Sequence, residues 1–207
     1  MSEQMGIFDV IENCRAMRRL KADIVPEELL VKLIDAGNRA PTGSNAQNVR
    51  WIVVRDDAQK HKLADLNRTA VTAYMESGRL SELPHQSEEQ RDRQRAAVMW
   101  QMEHMHEIPA LIIACLEFDA PPGNASGMGG GSVWPAVQNV LLAARALGLG
   151  AAPTTLGLSD RAAAKAALGL PDTVEPYCLI PVGYPHGKFG PVRRLPVAET
   201  MRWDRWA

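Results

Sequence analysis

The chain has 207 residues, 46% apolar and 23% charged, with 23 Lys and Arg against 24 Asp and Glu and a formal net charge of -1. This fits one ordinary soluble domain spanning residues 1–207, long enough to bury roughly 70% of its unfolded surface without disulfides or structural metal. The balanced charge excludes the basic excess of a nucleic-acid binder, and Pro135, Gln138, Asn139 and Arg145 interrupt the longest apolar stretch, which excludes a membrane span there.

In chain order, Ile7, Val10, Ile11 and Cys14 recur at helical spacing and predict a helix over residues 5–14, followed at once by the basic cluster Arg15, Arg18 and Arg19. Pro26 is placed as the first residue of a second helix with Leu29, Leu30, Leu33 and Ile34 on its apolar face and Gly37 as its stop. A polar loop, residues 40–48, leads into a strand at 49–54, and residues 57–80 read as helical. Ser87 and Gln90 have the form of a capping box opening a helix through Met99, Met102 and Met105, a stripe that reads as packing. Residues 109–116 are nearly all apolar, as in a strand buried on both faces.

A glycine-rich loop, residues 121–131, leads into an apolar helix at 135–147 that Gly148 and Gly150 end. Residues 151–156 read as a short strand or extended loop, Ser159 is placed as the cap of a further helix stopped by Gly169, and residues 176–183 form a last strand. The tail from Tyr184 is rich in Pro and Arg and lacks periodicity. Strands and helices intermix without a βαβ repeat, which predicts an α+β fold. Cys14, Cys115 and Cys178 lie far apart with no Cys-x-x-Cys pair, and residues 1–9 lack a cationic leader, so a reducing, cytoplasmic setting is expected.

Most motifs that invite a chemical reading fail on context. Gly148-x-Gly150 ends a helix, whereas a dinucleotide fingerprint opens one. The glycines of residues 127–131 lack the Gly-Lys-Ser/Thr of a P-loop, leaving two readings open: an anion cradle of backbone N–H groups, or a flexible loop. His104 and His106 point about 200° apart on a helix, and His61, His85 and His186 have no partner at ligand spacing, so no metal site is expected. Two segments stand out. Arg15, Arg18 and Arg19 put three guanidiniums between two helices, which is costly without an anion, and phosphate suits the guanidinium fork. The loop of residues 41–47 offers backbone donors and the Asn45 and Gln47 amides, suited to the edge of a planar heterocycle.

Taken in order, six segments resemble the FMN-dependent nitroreductase family over residues 7–197. They are Arg15-Ala16-Met17-Arg18-Arg19 followed by Pro26; Ala40-Pro41-Thr42-Gly43-Ser44-Asn45-Ala46-Gln47; Trp51 with its following valines; Ala136-Val137-Gln138-Asn139-Val140-Leu141-Leu142-Ala143-Ala144 with Gly148-Leu149-Gly150; Pro181-Val182-Gly183-Tyr184-Pro185; and Arg193-Arg194-Leu195-Pro196. The chain departs from the family's pattern at Cys14, Ala16 and Asn48, and residues 67–108 show no dependable match.

The resemblance implies an α+β sandwich whose central, mostly antiparallel sheet is flanked by helices. It also implies an intertwined homodimer with a tail at about 185–207 wrapping the partner, and one FMN in each of two sites built from both subunits. Cofactor contacts would come from Arg15, Ala16, Met17, Arg18 and Arg19; from Pro41, Thr42, Gly43, Ser44, Asn45 and Gln47; from Pro153, Thr154, Thr155 and Leu156; and from Arg193 and Arg194. Arg15 and Arg194 would hold the phosphate, and Arg18 would lie near N1 and the C2 carbonyl. The implied activity is ping-pong hydride transfer from NADH or NADPH through flavin N5 to a nitroaromatic, quinone or similar small electron-poor acceptor, with no protein acid or base. The alternatives are a reductive dehalogenase or flavin-cleaving enzyme of the same fold, and a non-catalytic flavin-binding module.

Overall fold

The computed structural model describes residues 5–77, 84–123 and 129–206; the predicted helix end at 78–80 and part of the glycine-rich loop, residues 124–128, lie outside the described residues. Four strands, β1 (Val49–Val54), β2 (Ala110–Glu117), β3 (Gly150–Ala151) and β4 (Val174–Gly183), form one sheet in the order β1-β2-β4-β3. Every neighbouring pair is antiparallel. The seven residues from Ala110 to Leu116 of β2 are each at most 1% exposed, so both faces of this strand are core. Alternation divides them: Ala110, Ile112, Ala114 and Leu116 join one cluster, and Leu111, Ile113 and Cys115 the other.

The first face is covered by α2 (Glu27–Asn38) and α5 (Gly130–Ala146), through Leu30, Leu33, Val133, Val137 and Val140. The second is covered by α3 (Asp57–Glu76) and α6 (Arg161–Leu168), with Leu63, Ala64 and Ala164, and by Met105 just beyond α4 (Glu88–His104). The short α1 (Ile7–Asn13) packs on α5, and α7 (Val197–Thr200) lies in the tail. Met102 and Met105 are buried, so the methionine stripe of α4 is packing.

A bulge sits in β4. Ala114 pairs with Cys178 but Cys115 pairs with Pro176, leaving Tyr177 as the extra residue. Val174 and Leu179, five residues apart, therefore contribute to the same core. Pro176 is tolerated at this irregularity because proline has no N–H for the ladder, and β4 accordingly begins two residues before the expected 176. Glu175, 8% exposed, ties α6 to β4 by accepting from Arg161 Nη1 at 3.0 Å and Lys165 Nζ at 2.9 Å.

Several boundaries differ from expectation. Pro26 is the N-cap of α2 rather than its first residue, because its ψ of 141° is still extended. Gly37 does not stop α2 but lies inside it. A Cβ there would stand 2.6 Å from Trp51 Cζ2 and 3.0 Å from Val140 Cγ2, so this glycine serves the close approach of α2, β1 and α5. The same joint is closed by Trp51 Nε1 donating to Asn38 Oδ1 (2.8 Å) and Asn139 Nδ2 donating to the Ala36 carbonyl (3.1 Å). α5 starts at Gly130 and carries Pro135 inside it; the lost bond falls at exposed Gly131, where it costs little. Asp160, not Ser159, caps α6 by accepting from the Ala163 N–H at 3.0 Å, and Gly169 ends that helix with φ 65°. α1 stops at Asn13, one residue short of Cys14.

Gly37→Ala is expected to destabilise the protein by about 1–3 kcal/mol, the usual cost of overpacking a filled joint. Urea unfolding followed by tryptophan fluorescence measures it; a midpoint equal to wild type would refute the packing role.

Candidate functional site

The basic segment after α1 runs extended along the end of the sheet. The Met17 N–H donates to the Ala151 carbonyl (3.0 Å), the Lys21 N–H to the Tyr184 carbonyl (2.8 Å), and Leu20 bridges Pro185. Met17 and Leu20 turn into the core, at 8% and 3% exposure, while Arg18 lines a cleft on the α3 and α4 side of the sheet. Residues 153–156 form another wall, fixed by a two-way bridge between Thr154 and Leu179 at 2.8 and 2.9 Å. Gly157 brings this segment against α3: a Cβ there would lie 3.0 Å from Asn67 Cβ and 3.2 Å from Asn67 Cα.

The cleft encloses about 510 Å³, within the range of small-molecule and cofactor sites. Its deep wall is polar and unsatisfied. Asn67 and Gln101 are 2% and 5% exposed, yet Asn67 Oδ1 and Gln101 Nε2 have no hydrogen-bond partner. Arg18 is half-buried, makes no hydrogen bond or ion pair among the described residues, and desolvation pushes its pKa below the usual arginine value. Orphaned buried polar groups and an unpaired cation are each unfavourable in isolation, and a ligand with acceptors and donors of its own relieves all three. The residue types fit the polar edge of a flavin: a guanidinium for carbonyl oxygen or developing negative charge, an amide oxygen for a ring N–H, and an amide N–H for a ring acceptor.

The structure brings Arg18, Pro153, Thr154 and Leu156 together in this cleft, with Thr155 exposed in the same segment. Arg193 and Arg194 line a neighbouring depression that shares Gln86 and Gln94 with the cleft. Arg15 points elsewhere, Nη2 donating to the Lys188 carbonyl at 2.7 Å, while Ala16 and Arg19 are exposed and Met17 is packing. Residues 41–47 do not reach the cleft. Their loop lies at the start of α5, on the opposite face of the sheet, where Ser132 Oγ accepts from the Gly43 N–H (3.1 Å) and Thr42 Oγ1 from the Gln47 N–H (3.0 Å). Ser44, Asn45 and Gln47 hold positive φ of 52°, 53° and 49°, each a strain of roughly 1 kcal/mol or more that local bonds must offset. The sequence reading missed Asn67 and Gln101. Helical periodicity alone leaves no mark on them; a lone amide among the apolar positions of a helix was the available signal.

No cluster of three or more His, Cys, Asp or Glu able to hold a metal occurs among the described residues, and none of their helices is long and apolar enough to cross a membrane. Burial pushes the Cys115 and Cys178 thiols up to about 12, and that of Cys14 upward, the last opposed by the charge of Arg145.

Fold and cleft together define an α+β protein with a partly polar cleft at one end of an antiparallel sheet. Residues 11–184 match the Nitroreductase family model. A NADH dehydrogenase of Thermus thermophilus is 30% identical over 204 residues, covering 91% of this chain and 91% of that protein. An iodotyrosine deiodinase of Thermotoga neapolitana is 29% identical over 181 residues, 86% of this chain and 88% of that protein. The structure of an oxidized iodotyrosine deiodinase bound to FMN and 3-iodo-L-tyrosine shares the fold, with a TM-score of 0.77 at 24% identity over 97% of this chain and 100% of that chain. The chain belongs to the nitroreductase family.

Arg18→Met is expected to stabilise the ligand-free protein by on the order of 1 kcal/mol, since it replaces an unpaired, partly desolvated charge with an apolar group of similar reach. Thermal unfolding of apoprotein measures this; a lower melting temperature for the variant would show that Arg18 is already satisfied.

Proposed function

We propose that the protein is an NAD(P)H-dependent FMN oxidoreductase acting in two half-reactions on a nitroaromatic, quinone or similar electron-poor acceptor. The observation that carries this reading is the convergence of unpaired Arg18 with orphaned Asn67 Oδ1 and Gln101 Nε2 in one cleft of a nitroreductase-family chain. Bound FMN would supply the redox chemistry, taking a hydride from a nicotinamide and passing it to the acceptor. The chain's own part is position and charge. The Arg18 guanidinium favours negative charge gathering beside it, and its partial burial strengthens that effect by lowering the local dielectric. Asn67 and Gln101 fix orientation, because each gains a bond only when the ligand edge is in register. Residues 153–156 set the depth of the slot.

The active unit is a homodimer in a cytoplasmic setting. Two features support the dimer: the loop of residues 41–47 lies on the sheet face opposite Arg18, so joining them in one site needs a second copy. In addition, Phe8, Trp203 and Trp206 are 77%, 78% and 87% exposed on the single chain, as expected of α1 and a tail that a partner covers. In this reading Arg15 and Arg194 hold the phosphate.

Purified protein is expected to be yellow, to bleach anaerobically with NADH or NADPH, and to recover its colour on adding a nitroarene. Asn67→Leu should weaken FMN binding about tenfold, the loss of one buried hydrogen bond, with Arg18→Ala slowing reduction and Arg15→Ala mainly loosening FMN. Colourless protein whose spectrum ignores added FMN would refute the assignment, and flavin that neither nicotinamide bleaches would leave a binding module.

A further inference from the structure

Four of the five histidines join one chain of side-chain contacts beside the cleft, none of them among its lining. His186, after β4, meets Trp100 of α4 edge-on at 5.8 Å, and Trp100 stacks on His104 at 4.5 Å. His104 Nδ1 lies 3.0 Å from Glu107 Oε2, while Glu107 Oε1 lies 3.7 Å from His106 Nε2. Glu107 and His106 belong to the single turn Met105–Glu107 that follows α4. His106 then stacks on His61 of α3, with ring centroids 4.5 Å apart and planes inclined by 27°. The chain ties α3 to the end of α4 and to the segment after β4, where the His186 N–H donates to the Arg19 carbonyl at 3.0 Å.

Its weak link is the stack of His61 on His106. Histidine is the side chain whose charge changes between about pH 5 and 8. A charged imidazole carries an N–H on both nitrogens, yet His106 Nδ1 is buried with no hydrogen-bond partner, so a proton there meets no acceptor. His61 faces the same ring, and two charged imidazoles face to face repel. Counter-charge is short. Glu107 serves both His104 and His106, and lies closer to His104. From α3, Asp57 stands 3.0 Å from Lys60 Nζ, which holds its carboxyl below the usual range, and Lys60 also donates to the Ile108 carbonyl at 3.3 Å. Lys62 and Glu103 flank the chain in sequence and are exposed. Acidification thus adds positive charge on His61, His104, His106 and His186 to a group in which Glu107 and Asp57 already face Lys60.

The chain adjoins the cleft through both of its helices. Trp100 and His104 flank Gln101 on α4, and His61 stands about 9 Å along α3 from Asn67. We propose that the histidine chain is a proton-sensitive tie between these two walls: closed when its rings are neutral, and parted between His61 and His106 on acidification, with loss of affinity for the ligand of the cleft. The tie stands on the ring geometry, and FMN enters only as a probe of the cleft.

Flavin fluorescence titration of the full chain with FMN at about pH 7.5 and about pH 5.5 tests it, the two sides of the histidine range. Wild type should bind about tenfold more weakly at the lower pH, the scale of one charge contact at this distance. In His61→Phe, which keeps a ring on His106 and carries no charge, the two affinities should become nearly equal. Glu107→Gln, which removes the shared counter-charge, should steepen the acid loss. Amide hydrogen exchange over residues 58–66 and 100–108, corrected for the intrinsic effect of pH, reads the same event without ligand: the wild type should lose protection at the lower pH and His61→Phe should keep it. A merely structural stack would change affinity and protection in His61→Phe by the same factor at both pH values, and that result would overturn the tie. So would a Glu107→Gln response no steeper than that of wild type. Protein that ignores FMN at both pH values would count against the flavin reading alone, because hydrogen exchange still decides the tie.

Discussion

The structure depends on a single strand with no exposed face. β2 can exist only if layers of apolar side chains cover both sides of the sheet, because its residues alternate between two cores and none reaches solvent before Glu117. That requirement calls for α2 and α5 on one side and α3 and α6 on the other. It also decides where a site can form. The interior is filled, so a ligand must bind where the helical layer runs past the end of the sheet, and the α3 and α4 layer does so beside β3, β4 and the extended segment of Arg18.

The cleft reverses the bargain made in the core. In the core, Glu175 is matched between Arg161 and Lys165, while Asn48 Oδ1, His106 Nδ1 and Arg145 Nε are buried without a partner outside the cleft. At the cleft, Asn67, Gln101 and Arg18 are withdrawn from water without return. Polar groups held in place without partners are how a protein makes binding energy available without reorganising when a ligand arrives. At its edge Gly157 packs closely against Asn67 of α3, with little room for a side chain between them.

Legibility in the sequence followed the range of the forces involved. Features governed by neighbours along the chain were readable: the Ser87 capping box, the all-apolar run of β2, the left-handed Gly169. Features governed by distant contacts were not. Gly37 has the composition of a helix stop, and only the proximity of Trp51 and Val140 shows that it is a packing residue. The bulge at Pro176 depends on the register with β2, so the start of β4 was displaced by two residues. For the candidate site, the motifs of the resemblance included Arg18 and the 153–156 segment, and of the basic run only Arg18 lines the cleft. Asn67 and Gln101 fell in the stretch that matched no motif, and their meaning arises from burial without a partner, a property of three dimensions.

The bulge in β4 has a bearing on how this chain tolerates change. Side-chain direction beyond Tyr177 depends on one extra residue, so insertions and deletions on the two sides of it are not equivalent. Losing Tyr177 itself would remove the bulge and leave Pro176 and Cys178 opposite their present partners, whereas losing one residue between Cys178 and Ile180 would turn Ile180 and Val182 toward the face now held by Leu179 and exchange the contents of the two cores along the end of the strand. The same loss in the exposed tail would disturb no such parity. Length variation among functional descendants of this sequence is therefore confined to the periphery by the arithmetic of alternation, however freely individual side chains drift.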